Sequence, residues 1–400
     1  MQAKLANICE QINFVLGRLP NSGIALPQFS DPVMSFLDDL SSEIRNNKVC
    51  NEHTDLKTFG FWCRSSNIKK IKAERLHSGN VIGRGIALHI TPANVAMTFA
   101  YSLAFGLLAG NANIVRLPSK TFAQTELLIE ILSKLLRQKQ NQLVKKFICL
   151  VAYERSNTIS ASLSSFVDVR MLWGGDNTIS QFKRFPTKAR CLDITFSDRF
   201  SVSMIKPSAL GNLNDRELDR VTKRFYNDTY YMDQFGCSSP KSVIWTERKY
   251  SSQKKRFWTS LEKVVQRNYE YDLSTAAEKF YSLSVLALDA DVWFKKLNEN
   301  FLVTRLDVNN NLRNAETIDG KYGTFSELHI DSISEFVKLI SNKFQTVTYF
   351  GVTRKEILDA INAEMSFGVD RVVPIGRAFD MGHIWDGYDV INTAAKHIGE

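Results

Sequence analysis

The chain has 400 residues, of which 44% are hydrophobic and 23% charged, and these proportions are ordinary for a folded soluble protein. A chain of this length exceeds one ordinary hydrophobic core, so two domains are expected. The formal net charge of +9 favours polyanionic partners, such as a phosphorylated cofactor, coenzyme A, an acidic carrier protein or a nucleic acid. The charge alone does not choose among them.

The cysteines and the apolar segments bear on location and metal content. None of the six cysteines forms a CxxC pair, so we expect neither a metal site nor a disulfide framework, and we predict a reducing, cytoplasmic setting. Residues 1–20 lack the long apolar core of a signal peptide. The most apolar stretch, residues 86–110, contains histidine, asparagine and proline, and therefore predicts buried strands and helices, with no membrane span.

The predicted elements alternate between strand and helix from residue 85 onward. In chain order they are a strand at 85–91, a helix at 94–109, a strand at 113–117, a helix at 121–136, and strands at 147–152, 167–173, 192–196 and 201–205. This alternation is typical of a parallel sheet with crossover helices. It predicts an α/β fold whose first domain is of the Rossmann, cofactor-binding type.

A second α/β domain is predicted from the change in character near residue 212. A charged amphipathic helix at 214–232 leads into the segment Gln234–Pro240 and a strand at 241–245. We predict a cofactor domain over residues 1–210 and a catalytic domain over residues 211–370. Residues 371–400 are expected to pack back on the first domain or to form an oligomerisation segment.

The first candidate site is the turn Thr91-Pro92-Ala93-Asn94. It follows a predicted strand and precedes a predicted helix, which places backbone N–H groups at the carboxyl edge of a parallel sheet, where phosphorylated ligands bind. On local spacing alone, the better explanation of Asn94 is that it caps the helix. The chain has no GxGxxG pattern here, so the usual dinucleotide fingerprint is absent.

The second candidate site is Cys237, which lies between a predicted helix and a predicted strand. Its small neighbours Gly236, Ser238 and Ser239 leave room for a substrate and for backbone donors to an oxyanion. Cys149 and Cys191 lie in apolar runs instead and are expected to be buried packing residues.

Residues 90–120 resemble the cofactor-binding segment of aldehyde dehydrogenases, in which a Pro-x-Asn turn, a helix, a Gly-Asn pair and a strand ending in a basic residue follow one another. The matching residues are Pro92, Asn94, Gly110, Asn111 and Arg116. The resemblance implies that Asn94 is catalytic and donates its amide to the developing oxyanion, which stabilises the transition state. It also implies that Thr91, Pro92 and Ala93 contact the cofactor.

The same resemblance bears on which nicotinamide cofactor is used. The position of Arg116 approaches the adenosine ribose in this superfamily, and NAD-preferring members carry a carboxylate three residues later. Here Ser119 and Lys120 stand at that place, which favours the 2′-phosphate and predicts NADP. Without the resemblance, Arg116 and Lys120 would be solvated surface charges and Ser119 would be the cap of the next helix. Gly174 and Gly175 match a phosphate loop, although a glycine pair alone indicates only a turn.

The Gly-Cys-Ser-Ser context of Cys237 resembles the nucleophile loop of aldehyde dehydrogenases, which implies that Cys237 carries the acyl group. Oxidising members have a Glu-Leu-Gly-Gly motif whose glutamate activates the hydrolytic water. The corresponding residues 194–201 contain neither that glutamate nor the glycine pair. This departure favours acyl transfer and reduction over oxidation, unless Asp198 acts as a shifted base.

Four segments together resemble the LuxC-type acyl-CoA reductases, also called long-chain acyl-protein thioester reductases: residues 91–94, 110–116, 234–240 and 372–391. The resemblance implies an aldehyde-dehydrogenase-like fold, a fatty acyl thioester substrate, NADPH, an aldehyde product and a homo-oligomer. The acyl donor would be acyl-CoA or an acylated protein, with an acyl-protein synthetase or carrier protein as partner. Glu327 matches a glutamate that contacts the nicotinamide ribose. His329 and His383 are candidate proton donors, or structural histidines.

Three alternatives remain open from the sequence. The first is an aldehyde dehydrogenase that works oxidatively or acylates coenzyme A. The second is a basic nucleic-acid-binding protein, although no zinc-finger, RRM or helix-turn-helix pattern stands out. The third is a scaffold subunit whose site has decayed, in which Cys237 would be unreactive.

Overall fold

The structure, a computed structural model, describes residues 9–74, 80–93, 95–288, 293–295, 301–308, 316, 318 and 320–399. The chain forms two compact units: unit 1 is Met1–Ser197 with Met381–Glu400, and unit 2 is Asp198–Asp380. Unit 2 therefore starts thirteen residues before the predicted start of the second domain at residue 211, because the strand at 200–205 pairs with strands of the second sheet.

Unit 1 has helices on a mostly parallel sheet. Its helices are α1 (Asp31–Asn46), α2 (Lys48–Glu52), α3 (Thr54–Trp62), α4 (Ser65–Ala73), α5 (Thr98–Leu108), α6 (Ala123–Leu136), α7 (Gln142–Lys145), α8 (Asn157–Phe166), α9 (Asp176–Lys183) and α16 (Val390–Thr393), with a 3-10 turn at Lys139–Asn141. Its strands are β1 (Asn13–Leu16), β2 (Asn80–Gly83), β3 (Ile86–Ile90), β4 (Ala112–Arg116), β5 (Ile148–Ala152), β6 (Val169–Trp173), β7 (Leu192–Phe196), β15 (Ile384–Trp385), β16 (Tyr388–Asp389) and β17 (Ala395–Ile398).

The main sheet of unit 1 has the strand order β1-β5-β4-β3-β6-β7, and only β1 runs antiparallel to its neighbour. All five residues of β3 are buried, as expected for a central parallel strand covered on both faces. The chain moves outward from β3 through β4 to β5 and then returns to the other side of β3 with β6. The strand order thus reverses at β3, and such reversals are where open α/β sheets bind ligands.

The buried polar groups of β3 and β4 are paired inside unit 1. The imidazole of His89 bonds Ser102 Oγ through Nδ1 (2.7 Å) and Asn113 Oδ1 through Nε2 (3.0 Å). Burial, partly offset by the Asn113 hydrogen bond, lowers the pKa of His89 to about 4, so the ring is neutral at neutral pH. His89 is therefore a satisfied core histidine.

Unit 2 is also built from helices and a mostly parallel sheet. Its helices are α10 (Pro207–Gly211), α11 (Asp215–Thr229), α12 (Ser251–Asn268), α13 (Leu273–Ala287), α14 (Ile333–Leu339) and α15 (Arg354–Ala363), with a 3-10 turn at Tyr230–Met232. Its strands are β8 (Phe200–Ile205), β9 (Pro240–Trp245), β10 (Trp293–Lys295), β11 (Thr304–Asp307), β12 (Thr324–His329), β13 (Phe344–Phe350) and β14 (Arg371–Pro374).

The sheet of unit 2 has the order β10-β11-β12-β9-β8-β13-β14, and only β10 is antiparallel to its neighbour. Its core lies in two layers. One layer packs Phe336 and Ile357 of α14 and α15 against the sheet, and the other packs Phe225 and Trp258 of α11 and α12 against it. An α/β unit covered on both faces is the architecture that the alternating pattern predicts.

Two further differences from the sequence expectation concern the start of a helix and the end of the second domain. Helix α5 begins at Thr98, four residues later than predicted, and all eleven of its residues are buried. Residues 371–374 form a strand of the second sheet, whereas residues 381–399 belong to unit 1, where β17 pairs with β2.

In the described ranges, no helix combines the length and apolarity that crossing a membrane requires.

Candidate active site

The loop that carries Cys237 connects the 3-10 turn Tyr230–Met232 to β9. Two of its residues, Asp233 (φ 51°) and Gln234 (φ 61°), adopt the left-handed backbone conformation that residues other than glycine rarely adopt. Such conformations cost roughly 1–3 kcal/mol each and concentrate at functional sites. Cys237 itself is half-buried, as a thiol that must meet a substrate requires.

The side-chain amide of Gln234 holds this loop in place. Its Nε2 donates to the carbonyls of Pro240 (3.1 Å) and Thr324 (3.2 Å), and its Oε1 accepts from the backbone N–H groups of Gly323 (2.8 Å) and Thr324 (3.0 Å). The residue is fully buried. The sequence pattern included Gln234 in the nucleophile segment but gave it no role. The structure assigns it the role of joining that segment to the start of β12.

Two polar residues from neighbouring strands contact Cys237, and a third residue holds one of them. The amide Nε2 of Gln345 donates to Cys237 Sγ at 3.2 Å, and the Ser201 hydroxyl donates to the Cys237 carbonyl at 2.7 Å. Ser201 Oγ in turn accepts from the backbone N–H of Thr346 at 3.1 Å. Sequence reasoning missed Gln345 and Thr346, because they lie more than 100 residues from Cys237 in the chain and no local motif marks them.

A side chain at position 236 would meet the ring of Phe379, which would have to shift. A Cβ atom on Gly236 would lie 2.5 Å from Cε1 of that ring. The loop bearing Phe379 is held by the buried carboxylate of Asp228, which accepts from the backbone N–H groups of Gly376 (2.6 Å) and Ala378 (2.9 Å). Burial raises the pKa of Asp228 to about 7 despite these hydrogen bonds. Gly236, one of the small residues beside Cys237, thus accommodates the side chain of Phe379 near the end of unit 2.

Several other cysteines are held in their thiol form by burial. Burial raises the pKa of Cys149 to about 12, raises that of Cys63 well above its usual value, and raises that of Cys191 to about 11. Cys149 is buried, as predicted for a packing residue, whereas Cys191 is only half-buried because it precedes β7 instead of lying within it. Such thiols are poor nucleophiles at neutral pH.

The predicted cofactor residues of unit 1 gather at one edge of its main sheet. They follow the carboxyl ends of three adjacent strands: Thr91, Pro92 and Ala93 follow β3, Arg116, Ser119 and Lys120 end or follow β4, and Gly174 and Gly175 follow β6. This edge is the place where the strand order reverses. Asn94, the predicted oxyanion donor, lies outside the described residues.

The cationic part of this edge is organised around Arg116. Its guanidinium lies 4.6 Å from the centre of the Tyr153 ring and donates to the Tyr153 carbonyl at 3.3 Å, while Thr91 Oγ1 donates to the Arg116 carbonyl at 3.2 Å. The buried Nε atom of Arg116 has no hydrogen-bond partner among the described residues. Ser119 and Lys120 are exposed. An arginine stacked on an aromatic ring is a typical anion-recognition group, and the sequence had not indicated Tyr153.

Glu327 lies on β12 with both carboxylate oxygens engaged inside unit 2. Its Oε2 accepts from the indole N–H groups of Trp245 (2.8 Å) and Trp258 (3.2 Å), and its Oε1 lies 3.5 Å from the Arg305 guanidinium. The predicted contact with a nicotinamide ribose stays a prediction.

The histidines named as proton donors lie in different units, His329 at the end of β12 and His383 just before β15. Asp198, the possible shifted base, is exposed at the start of unit 2.

The chain resembles several solved structures of low sequence identity. They include a lactaldehyde dehydrogenase from Escherichia coli (TM-score 0.63, 12% identity, 93% of this chain and 86% of that one) and an aldehyde dehydrogenase from Bartonella henselae (0.61, 13%, 92% and 86%). A NAD-dependent benzaldehyde dehydrogenase from Corynebacterium glutamicum gives 0.62 and 11% over 92% of this chain and 85% of that one. These likenesses confirm the predicted aldehyde-dehydrogenase-like fold.

The family comparison covers most of the sequence. Residues 66–393 match the family described as acyl-CoA reductase (LuxC), which confirms the predicted resemblance, while no curated protein sequence matches the chain. The matched range contains Cys237 and the predicted cofactor residues of unit 1. The protein therefore belongs to the LuxC acyl-CoA reductase family and is an oxidoreductase with an aldehyde-dehydrogenase-like fold.

Proposed function

We propose that the protein reduces a fatty acyl thioester, supplied as acyl-CoA or as an acylated protein, to the aldehyde with NADPH. The acyl group passes through a thioester on Cys237. The observation that carries the proposal is the environment of this thiol, which is half-buried on a constrained loop and accepts a hydrogen bond from a buried amide, in a chain of the acyl-CoA reductase family. Long-chain substrates follow from the family resemblance.

Cys237 acts twice in this proposal. Its thiolate attacks the acyl carbon, the carbon–sulfur bond to the carrier breaks, and the carrier leaves with the electron pair and takes up a proton. After reduction of the acyl carbon, the Cys237 sulfur leaves again as the adduct breaks down to the aldehyde. Asn94 and the Cys237 backbone N–H are proposed to hold the oxyanion.

The cofactor edge of unit 1 fits a phosphorylated dinucleotide. Thr91, Pro92, Ala93, Gly174 and Gly175 would hold it through the backbone at the point where the strand order reverses. Arg116, Ser119 and Lys120 supply two cations and no carboxylate, which suits the 2′-phosphate of NADP. The chemistry that this cofactor supplies is a hydride for the acyl carbon. Glu327 is retained as a proposed ribose contact.

Reduction is favoured over oxidation because residues 194–201, which span the boundary between the two units in the sequence, contain no glutamate to activate a water. Residues 194–201 comprise the end of β7, a short connection and the start of β8. In that connection Arg199 donates to the carbonyls of Asn342 (2.9 Å) and Phe344 (3.1 Å). We also propose that the protein is a cytoplasmic homo-oligomer. An acyl-protein synthetase or a carrier protein is the proposed donor partner, and the net charge of +9 supports an acidic partner.

The direction of reaction tests the proposal. One preparation is given acyl-CoA with NADPH, and aldehyde formation is measured; it is also given aldehyde with NADP⁺ and no coenzyme A, and acid formation is measured. We expect thioester reduction to dominate, because residues 194–201 carry no glutamate to activate the water that would hydrolyse the acyl-enzyme. Rapid acid formation with little thioester reduction would instead establish an oxidative aldehyde dehydrogenase.

The cofactor preference depends on Ser119. For Ser119→Glu we expect the ratio of kcat/KM for NADPH to that for NADH to fall by at least about tenfold, because a carboxylate repels the 2′-phosphate and accepts from a 2′-hydroxyl. The exposed Ser252→Glu variant of α12 adds the same charge elsewhere and is expected to leave the ratio unchanged. An unchanged ratio in Ser119→Glu would remove the basis for choosing NADP.

A further inference from the structure

The side chain of Gln345 meets the sulfur of Cys237 from the second position of β13. The residue is fully buried, and its Nε2 lies 3.2 Å from Sγ. An amide N–H can donate a hydrogen bond but cannot accept one. It therefore favours the thiolate form of Cys237, which only accepts, over the thiol form, whose S–H is itself a donor. Both residues belong to unit 2. Gln345 lies on β13, and the loop of Cys237 leads into β9.

The orientation of this amide follows from the groups behind it. The Thr346 hydroxyl donates to Gln345 Oε1 at 3.2 Å, and Nη1 of Arg371 lies 3.5 Å from that hydroxyl. Because a guanidinium only donates, it leaves the hydroxyl hydrogen directed at Oε1, and Nε2 then faces the sulfur. Arg371 is itself fixed through the carbonyls of Ala378 (2.8 Å) and Asp380 (2.9 Å).

Hydrogen bonds to an ionised partner are shorter and roughly twice as strong as those between neutral groups. A buried amide is also less screened than one in water, and a chain of donors polarises each member toward the next. Arg371, Thr346 and Gln345 form such a chain, which starts at a cation and ends at Cys237 Sγ. Its polarity matches a negative charge on the sulfur.

We propose that Gln345 is a catalytic residue that stabilises the thiolate of Cys237, both when the sulfur attacks and when it leaves, and that Thr346 and Arg371 are positioning residues for its amide. The inference rests on the proposed role of Cys237 as nucleophile. If Gln345 were only a packing residue, its replacement would change the stability of the fold but not the pH dependence of the thiol.

Alkylation by iodoacetamide tests the proposal without any cofactor or acyl substrate. The full chain is alkylated between about pH 5 and pH 10, and the modified Cys237 peptide is quantified by mass spectrometry. In Gln345→Met, which keeps the length of the side chain, we expect the midpoint of the pH profile to rise by about one pH unit. Well below the midpoint the rate should fall about fourfold, because the less stabilised thiolate is rarer but more nucleophilic.

Thr346 provides the matched pair of variants. Thr346→Val removes the hydroxyl that orients the amide and is expected to shift the midpoint in the same direction by a smaller amount, whereas Thr346→Ser keeps the hydroxyl and the wild-type midpoint. This pair also serves if Gln345→Met does not fold. A wild-type midpoint in folded Gln345→Met, or equal midpoints in the two Thr346 variants, would overturn the proposal. If the midpoint shifts but the protein reduces no thioester, the proposed role of Gln345 stands and the proposed function is rejected.

Discussion

Cys237→Ser is expected to lower thioester reduction by at least about a thousandfold, because a serine hydroxyl is not ionised near neutral pH and loss of a nucleophile removes the covalent route. The measurement is the initial rate of NADPH oxidation with a long-chain acyl-CoA. The substitution changes one atom, so the loop geometry set by Gln234 and Ser201 is retained. Unfolding midpoints equal to those of the wild type would verify this.

The control for Cys237→Ser is Cys191→Ser. The Cys191 thiol is also half-buried, but burial raises its pKa to about 11, so it is not expected to carry an acyl group. We expect this variant to keep most of the wild-type rate. If Cys237→Ser retained more than a small fraction of the activity, or if Cys191→Ser lost it, the nucleophile would have been assigned to the wrong thiol.

Gln234→Leu is expected to destabilise unit 2 by about 4 kcal/mol. The substitution removes the amide from two backbone N–H groups and two carbonyls, and each buried polar group left without a partner costs about 1–3 kcal/mol. The Thr324 N–H keeps the carbonyl of Lys321 (3.0 Å) as a second acceptor, so the expected loss comes from the remaining groups. The measurement is urea unfolding followed by tryptophan fluorescence, to which the buried Trp245 and Trp258 of unit 2 contribute. The chain has two units, so each transition is fitted separately.

An exposed glutamine supplies the comparison for this experiment. Gln140→Leu makes the same chemical change at a surface position and is expected to alter the unfolding free energy by less than about 0.5 kcal/mol. A loss below about 1 kcal/mol in Gln234→Leu would mean that the loop does not depend on this amide. In that case the left-handed conformations of Asp233 and Gln234 would need another cause.

The parts of the fold that were predictable from the sequence are those with local patterns. The strand at Leu192–Phe196 was predicted with its full bounds, and the strands that became β3 and β4 were predicted to within a residue or two. Apolar runs between turn residues suffice for buried parallel strands. The start of α5 was predicted too early, since the turn residues before Thr98 continue the same apolar composition.

The residues that were not predictable are those whose partners are distant in the chain. Gln345 meets Cys237 across 108 residues, and Asp228 holds Gly376 and Ala378 across about 150. Neither residue lies in a motif, because the packing of distant strands, helices and loops, and not sequence spacing, brings the partners together. Glu327 shows the converse: its segment was noticed, but its indole partners come from β9 and α12.

The acyl-enzyme itself is the most direct measurement of the central claim. The full chain is incubated with acyl-CoAs of several lengths, with and without NADPH, and analysed by mass spectrometry of the intact protein and of its peptides. We expect an acyl adduct on Cys237 that accumulates without NADPH and is discharged as aldehyde when NADPH is added. An adduct that persists in Cys237→Ala, or one that NADPH fails to discharge as aldehyde, would contradict the assignment of Cys237 as an acyl relay.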